Sequence, residues 1–439
     1  MRVLFVENRY KTALWEIIGH ELEKEGHEVY FLVQNHMFKP SMENVKLLPY
    51  PKKLTKPKVY TPEIKKIIQA DRGLNYFGIK SDDFIFWYED KIEAIIDEIN
   101  PDLVFGESTL FHELLVIKSC KKRDIRYLHP SSCRYPKNRF SFYNYDTLTP
   151  FGFSNDKLSI EDAKETAHAI GKRLALPDYM NVSKTAISNF DFLKDKARLT
   201  LGYYLGEKYN TPSPLKKRKI NSYYQKQIHE WEKFAVGVED LKDQFYILYP
   251  MQMQPEANID VWGYPNNDQA KVVARVLADL GENEKLVIKP NPKSKYEISS
   301  GLLKLVKENP GKIIALNHAS NMKELWPYID LVVTVTGTIS IECIFDNKPV
   351  VMLGQGIQTS QDNCVYLDQN ESIKPVINSV KKGSFPILSE DKKVDFLQEL
   401  MATSFRGING DGLHNKGYME DEANLAFLKE SFKKIILNV

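Results

Sequence analysis

In the stretch FYILYPMQMQPEANIDVWG a carboxylate, Glu256, stands directly after Pro255 and just beyond an apolar run. Proline fixes φ and removes a donor, so an acid placed there has little backbone freedom. A carboxylate held this way can serve as nucleophile or general base. It can equally be a plain loop or helix-start acid. Polar groups also follow later apolar runs: Lys289-Pro290-Asn291-Pro292, Asn317-His318-Ala319-Ser320, and Thr336-Gly337-Thr338 with Glu342 beyond it. Together with Gln252-Met253-Gln254-Pro255-Glu256 they mark four strand ends, and their recurrence at equivalent places is stronger evidence than any one of them.

Each pattern suits a particular chemistry. Gly337 lets the backbone approach a ligand closely, and the free amides of a helix starting at Thr338 favour a phosphate. Glu342 falls one turn along on the same face, where a carboxylate can accept from ribose hydroxyls. The competing reading is an N-capping threonine and an ordinary helix glutamate. The two prolines around Asn291 stiffen that loop, so Lys289 and Asn291 either contact a phosphate through their side chains or merely join a strand to a helix. His318 is a phosphate neighbour or a packing histidine. Upstream, Glu7 and Glu107 also end apolar runs, and Glu107-Ser108 is placed to cap a following helix. His129, Ser131, Ser132, Arg134 and Arg139 follow the next run. Arginines there can hold a carboxylate or an anionic acceptor, or stand solvated at the surface. The basic run Lys216-Lys217-Arg218-Lys219 reads as a solvated linker, with contact to anionic lipid as the other possibility.

These residues need a frame. RVLFVE, then TALWEIIGHELEKEG with helical spacing of Leu14, Ile17, Ile18 and Leu22, then HEVYFLVQ, gives strand–helix–strand and hence a parallel sheet with a right-handed crossover. Gly26 closes the helix. KIEAIIDEIN, PDLVFGE, TLFHELLVIKSCKKR and DIRYLHP continue the alternation. From about Ser131 to Leu241 it stops. PSSCRYPKNRFSFYNYDTLTPFGFS reads as loop, and IEDAKETAHAIGKRLAL, TAISNFDFLKDKARLTLGYYLG and INSYYQKQIHEWEKFAV read as helices. Alternation resumes at Phe245 and runs to about Gly354, followed by the helices KVDFLQELMATS and EDEANLAFLKESFKKIILN. The expected organisation is therefore a Rossmann-like domain over 1–135, a loop and helical insertion with linker over 136–243, and a second Rossmann-like domain over 244–410. A C-terminal helix over 411–439 is expected to pack back on the first domain. Two such domains without a Gly-x-Gly-x-x-Gly fingerprint predict the α/β architecture called GT-B, with the ligand outside the carboxyl ends of the strands, in a cleft between facing domains.

Bulk properties narrow the function. At 439 residues the chain exceeds one ordinary core. The formal net charge of +2 gives no bulk argument for nucleic acid. The four cysteines, Cys120, Cys133, Cys343 and Cys364, form no Cys-x-x-Cys pair and no metal-ligand spacing, so reduced thiols in a cytoplasmic protein and no metal are expected. The opening MRVLFVENRY breaks its apolar run at Glu7, unlike a signal peptide. No segment approaches the roughly 20 apolar residues of a membrane span, leaving at most peripheral contact with the inner membrane.

YPMQMQPEANIDVWG, VIKPNP and VVTVTGTISIECIFDNKPVVMLG resemble the capsule polysaccharide biosynthesis glycosyltransferases, a group that includes bacterial Kdo transferases. That family shows Gln-Pro-Glu, Lys-Pro-His-Pro and Thr-Gly-Thr-x-x-x-Glu in this order, and the resemblance covers about Phe245 to Gly354. It implies transfer of a 3-deoxy-ulosonic sugar, Kdo or a nonulosonic acid such as pseudaminic, legionaminic or sialic acid, from its CMP donor to a glycan or glycolipid acceptor, with no further cofactor, and contact with a capsule-assembly complex. Glu256 would act at the anomeric carbon, with Glu107 as a second catalytic candidate. Gln254, Lys289, Asn291, His318, Thr336, Gly337, Thr338 and Glu342 would hold the nucleotide sugar. Glu7, His129, Ser131, Ser132, Arg134 and Arg139 would meet the acceptor or the sugar carboxylate. Asn291 departs from the family histidine; an asparagine donates only a neutral amide, which points to a different donor sugar or a weakened site. The alternatives are a UDP-sugar transferase or epimerase, and a non-catalytic scaffold of capsule assembly.

Overall fold

The computed structural model describes residues 1–52, 58–175, 177, 189–410 and 417–439. The chain divides into two compact units. The first is Met1–Lys157, Pro177–Lys217 and Gln398–Val439; the second is Leu158–Leu176 and Arg218–Leu397. Each is built on a sheet of largely or wholly parallel strands, the α/β class that the alternation predicts.

In the first unit the strands are β1 (Arg2–Val6), β2 (Glu28–Val33), β3 (Val45–Leu47), β4 (Leu103–Phe105), β5 (Arg126–Ser132), β6 (Arg139–Asn144) and β7 (Pro150–Phe151), with β14 (Phe405–Arg406) added from far along the chain. Their order is β14-β6-β5-β4-β1-β2-β3, with β7 on β6. β1 through β5 pair in parallel, whereas β6, β7 and β14 pair antiparallel. Val3, Phe5, Phe31, Leu103 and Phe105 are wholly buried, each such side chain contributing about 1.5–3 kcal/mol through removal from water. The helix Glu422–Ile436 closes this core. Phe432 on it packs at 4.9 Å from both Phe105 and Phe142 and edge-on to Trp15 at 6.1 Å.

The second unit holds β8 (Phe245–Pro250), β9 (Glu284–Lys289), β10 (Ile313–Ala315), β11 (Leu331–Thr334), β12 (Val350–Met352) and β13 (Cys364–Tyr366) in the order β10-β9-β8-β11-β12-β13, every pair parallel. Strands buried on both faces read as continuous apolar runs, which is why FYILYP and LVVT stood out. Trp231, wholly buried, ends the helix Pro214–Glu232 in this core and donates its Nε1 hydrogen to the Leu316 carbonyl at 2.8 Å.

Several expectations need correction. Residues 136–243 are shared between the units, and Arg139–Asn144 is a strand, not a loop. Phe140 and Phe142 alternate into the core around Ser141, the pattern of an antiparallel strand. The second unit ends at Leu397, short of residue 410, because Thr403, Ser404 and Phe405 are bonded to the first sheet. Lys216–Lys219 lies exposed where the chain passes from the first unit to the second, and it is helical, in the first turns of Pro214–Glu232. The start of TAISNF lies outside the described residues; its continuation is the helix Asn189–Leu205.

Candidate functional site

Numbered within its own sheet, the second unit's strand order is 3-2-1-4-5-6. The direction of winding reverses between β8 and β11, and ligands of such sheets bind beyond the carboxyl ends of the strands at that reversal. The loops leaving β8 and β11 are those carrying Gln254-Pro255-Glu256 and Thr336-Gly337-Thr338.

Gln252 clasps the two loops together. Its Nε2 donates to Thr336 Oγ1 at 3.0 Å, and its Oε1 accepts from the Thr336 amide at 3.1 Å. The Thr336 hydroxyl in turn donates to the Asn258 carbonyl. Gln254 is buried, donating to Asp260 Oδ1 at 2.7 Å and the Asn267 carbonyl at 3.0 Å while accepting from Gln269 Nε2 at 3.0 Å. Both Gln254 and Thr336 are therefore engaged in building the loops. Asp260 also accepts from the Glu256 amide at 3.1 Å, and the Glu256 carbonyl accepts from the Asp260 amide at 2.9 Å. These two bonds fix Glu256 at both its amide and its carbonyl. Its half-buried carboxylate does not cap the helix Ala257–Asp260 that it precedes.

At the other loop, a Cβ on Gly337 would lie 2.4 Å from Thr334 Oγ1, so only glycine fits as the chain turns into the helix Ile339–Asp346. Thr338 occupies the N-cap position without a side-chain cap bond, which removes the capping reading. Glu342 is buried and ion-paired with Arg173. Lys289 ends β9, is 4% exposed, and donates to the Pro290 carbonyl at 3.1 Å. Burial, and secondarily the charge of Arg173, lowers its pKa to about 8. Asn291 Oδ1 accepts from the Lys293 amide at 2.8 Å, so this side chain shapes its own turn. His318 is bonded through Nδ1 to Glu232 on a neighbouring helix, and its amide donates to the same carboxylate at 3.1 Å.

In the first unit the reversal falls between β1 and β4, whose carboxyl ends lead into Glu7 and Glu107. Glu7 is 2% exposed and accepts from the amides of Gln34 and Asn35 at 3.2 and 3.0 Å. Burial, with repulsion from Glu113 and Glu207, raises its pKa to about 8. Glu113, not Glu107, caps the next helix, accepting from the amides of Thr109 and Leu110 at 2.8 and 2.7 Å. Glu107 lies 3.6 Å from Lys11 Nζ. Of the candidates on β5, β6 and the turn between them, His129 and Arg139 are engaged within the fold. His129 is wholly buried, its Nε2 bonded to the Thr147 carbonyl at 2.9 Å, and burial lowers its pKa to about 4, so it is neutral. Ser131 Oγ lies 3.4 Å from His129 Nδ1, and Ser132 is the last residue of β5. Arg139 is buried and engaged with Ser404, the Met401 carbonyl and Asp156, joining β6 to the segment before β14. Arg134 is half-buried at a left-handed φ of 68°.

Residues missed from sequence are Asp260 and Gln269, which brace the Gln-Pro-Glu loop, and Arg173, which reaches Glu342 from the helical stretch before it. Gln252 stood in the quoted motif without an assigned role.

Residues 203–360 match the model of a family described as capsule polysaccharide biosynthesis protein. This is the family that the motifs resemble. The matched segment contains Glu256, Lys289 and Glu342 but not Arg173 or the first unit's candidates. A search of curated proteins returned no match. Similar solved structures include the beta Kdo 2,7 transferase of Thermosulfurimonas dismutans, at 12% identity and TM-score 0.33 over 91% of this chain and 99% of that one. A glycosyltransferase from Rickettsia africae aligns at 11% identity and TM-score 0.31 over 97% and 98%. The UDP-GlcNAc 2-epimerase of Methanocaldococcus jannaschii aligns at 12% and 0.30 over 91% and 99%. Among the described residues, no helix is long and apolar enough to cross a membrane.

Proposed function

We propose that the protein is a glycosyltransferase of capsule or related surface-glycan assembly, built on the GT-B plan, that transfers a 3-deoxy-ulosonic sugar from its CMP donor to a glycan or glycolipid. The observation carrying this reading is the clasp of Gln252 and Thr336 at the reversal of the second sheet. It joins a loop presenting a backbone-fixed acid to a glycine turn that opens a helix, the pairing a sugar phosphate requires. The family match supports the capsule context.

In this reading Lys289 and the helix start at Thr338 receive the phosphate, and Glu342 the ribose side. CMP is a good leaving group, so positioning and charge stabilisation supply most of the rate. Glu256 acts at the anomeric carbon, as a nucleophile if configuration is retained or as base on the acceptor hydroxyl if it is inverted. Glu7 and Glu107 are the first unit's candidates toward the acceptor. Asn291 supplies no cation, so positive charge falls to side chains such as Lys289. A glycolipid acceptor would bring the enzyme to the inner face of the membrane, with the exposed Lys216–Lys219 run available to anionic headgroups.

A thermal-shift panel of CMP, CDP, UDP, GDP and CMP-sugars tests the donor, since a ligand of the folded state raises its melting temperature. CMP and CMP-ulosonates are expected to give the largest shifts. Larger shifts with UDP or GDP would overturn the CMP assignment.

A further inference from the structure

We propose that the helix Asn189–Leu205 is a membrane-docking element, which lays an apolar face into an anionic lipid bilayer while the lysines around it meet the headgroups. This deepens the membrane side of the reading above and does not depend on the donor.

Phe190, Leu193, Ala197, Leu201, Tyr204 and Leu205 recur at steps of three and four residues, so they share one face of the helix. All but Ala197 are large, and these five are between 53% and 73% exposed. The opposite face is the one that packs. Gly202 is buried, and a Cβ there would lie 3.2 Å from Asn35 Oδ1. Arg198 stands over the Phe38 ring at 5.9 Å. The end of the helix is fastened as well. The Glu207 amide donates to the Gly202 carbonyl at 2.9 Å, and the wholly buried Glu207 carboxylate accepts from the amides of Tyr209 and Asn210 at 3.1 and 2.9 Å. The first unit therefore holds this helix by its polar side and leaves its apolar side outward, the reverse of a core-facing helix. Exposed apolar residues scattered singly need no explanation, but a row of them on one face marks an interaction surface.

Charge selects the occupant. Residues 189–217 include six Lys and Arg and three acids, of which Glu207 is wholly buried. Lys194, Lys196 and Lys208 are exposed, as are Lys216 and Lys217 after them. An apolar row among lysines matches the boundary of an anionic bilayer. The acyl chains take the row, the lysine stems lie along it, and the ammonium groups reach the phosphates. Tyr204 suits the headgroup level, where tyrosines concentrate. At 17 residues with lysines within it, the helix lies in the interface plane and does not span. A second copy of the chain is a poorer occupant, because a self-complementary interface would set these cations against their own copies.

The test is flotation of the full-length chain with two kinds of vesicle, phosphatidylcholine alone and phosphatidylcholine mixed with phosphatidylglycerol. Wild type is compared with the apolar-face variant L201S/L205S and the charge variant K194Q/K196Q/K208Q, each first shown to melt as wild type does. Wild type is expected to partition onto the phosphatidylglycerol vesicles far more than onto phosphatidylcholine, and to be released as salt rises. Each variant is expected to lose about tenfold or more of that partitioning, with its thermal shift by CMP unchanged. A folded L201S/L205S that floats as wild type does overturns the assignment, as does a wild type that ignores both vesicles or binds both equally. A wild type that is dimeric by light scattering and made monomeric by L201S/L205S also overturns it, giving the face to a second copy. If vesicle binding behaves as expected but CMP fails to bind, the donor reading falls and the docking face stands.

Discussion

Gln252 and Thr336 hold each other through two hydrogen bonds, of 3.0 and 3.1 Å, across the point where the second sheet reverses its winding. The pairing couples the loop after β8 to the loop after β11, although the residues are 84 apart in sequence. Thr336→Val keeps the volume and removes the hydroxyl, leaving Gln252 Nε2 and the Asn258 carbonyl without that partner. A loss of about 1–3 kcal/mol is expected, read by urea denaturation, with Thr336→Ser close to wild type. Equal stability of the valine variant would show that the clasp is not holding the loops.

Glu256→Gln should fold normally, because the carboxylate does not cap the helix behind it. Transfer from the cognate CMP-sugar is expected to fall by about a hundredfold or more, with CMP affinity retained. Wild-type turnover by this variant would remove Glu256 from the chemistry, whatever the donor proves to be.

The first unit makes a prediction about pH. Glu7 has its pKa raised from an ordinary 4.5 to about 8 by burial and neighbouring acids. The folded state therefore holds this proton more tightly than the unfolded chain. Its contribution is complete below about pH 4.5 and is lost as pH rises toward 8. Glu113, raised to about 7 by burial, adds in the same direction. Glu7→Gln, which can still accept from the amides of Gln34 and Asn35, should flatten the fall in stability between pH 5 and 8. Parallel pH curves for wild type and variant in denaturant titrations would contradict this.

Gly106 is a position of close approach. A Cβ there would lie 2.1 Å from the Tyr127 hydroxyl, which donates to the Glu107 carbonyl at 2.5 Å. Gly106→Ala is expected to cost about 1–3 kcal/mol through overpacking and to shift the turn that carries Glu107. Adding Tyr127→Phe should recover part of the loss in melting temperature, because the closest clashing atom is then gone.

Phe432 tests the closing helix. It is wholly buried against Phe105 and Phe142. Phe432→Ala should cost about 3–5 kcal/mol, visible as early unfolding of the first unit, and an unchanged unfolding midpoint would contradict the packing.

The parallel strands were readable from sequence because burial on both faces makes them continuous apolar runs, as in FYILYP. β6 was not, because an antiparallel strand alternates: Phe140 and Phe142 point inward between Arg139, Ser141 and Tyr143, and the mixture resembles a loop. β13 and the helix Lys374–Lys381 were too short to register. The motif spelling located the ends of β8, β9, β10 and β11, but side-chain engagements depended on partners distant in sequence. Gln254 and Thr336 have the chemistry of ligand contacts and are engaged in holding loops. Arg139 looked like an anion holder and meets Ser404, 265 positions away. Arg173 carried no local signal, since its partner Glu342 lies 169 positions downstream.

The discontinuous first unit has a consequence for how the chain is made. Every segment of the second unit has been synthesised by Leu397, whereas the first unit still lacks β14 and the helix Glu422–Ile436. Domains generally fold as units in the order of their synthesis; here the half that begins first is completed last. Until residues 422–436 leave the ribosome, the aromatic surface of Phe105 and Phe142 has no cover from Phe432. That interval is the time at which a nascent chain exposes this surface to chaperones or to aggregation, and synonymous changes that slow translation after residue 397 would lengthen it.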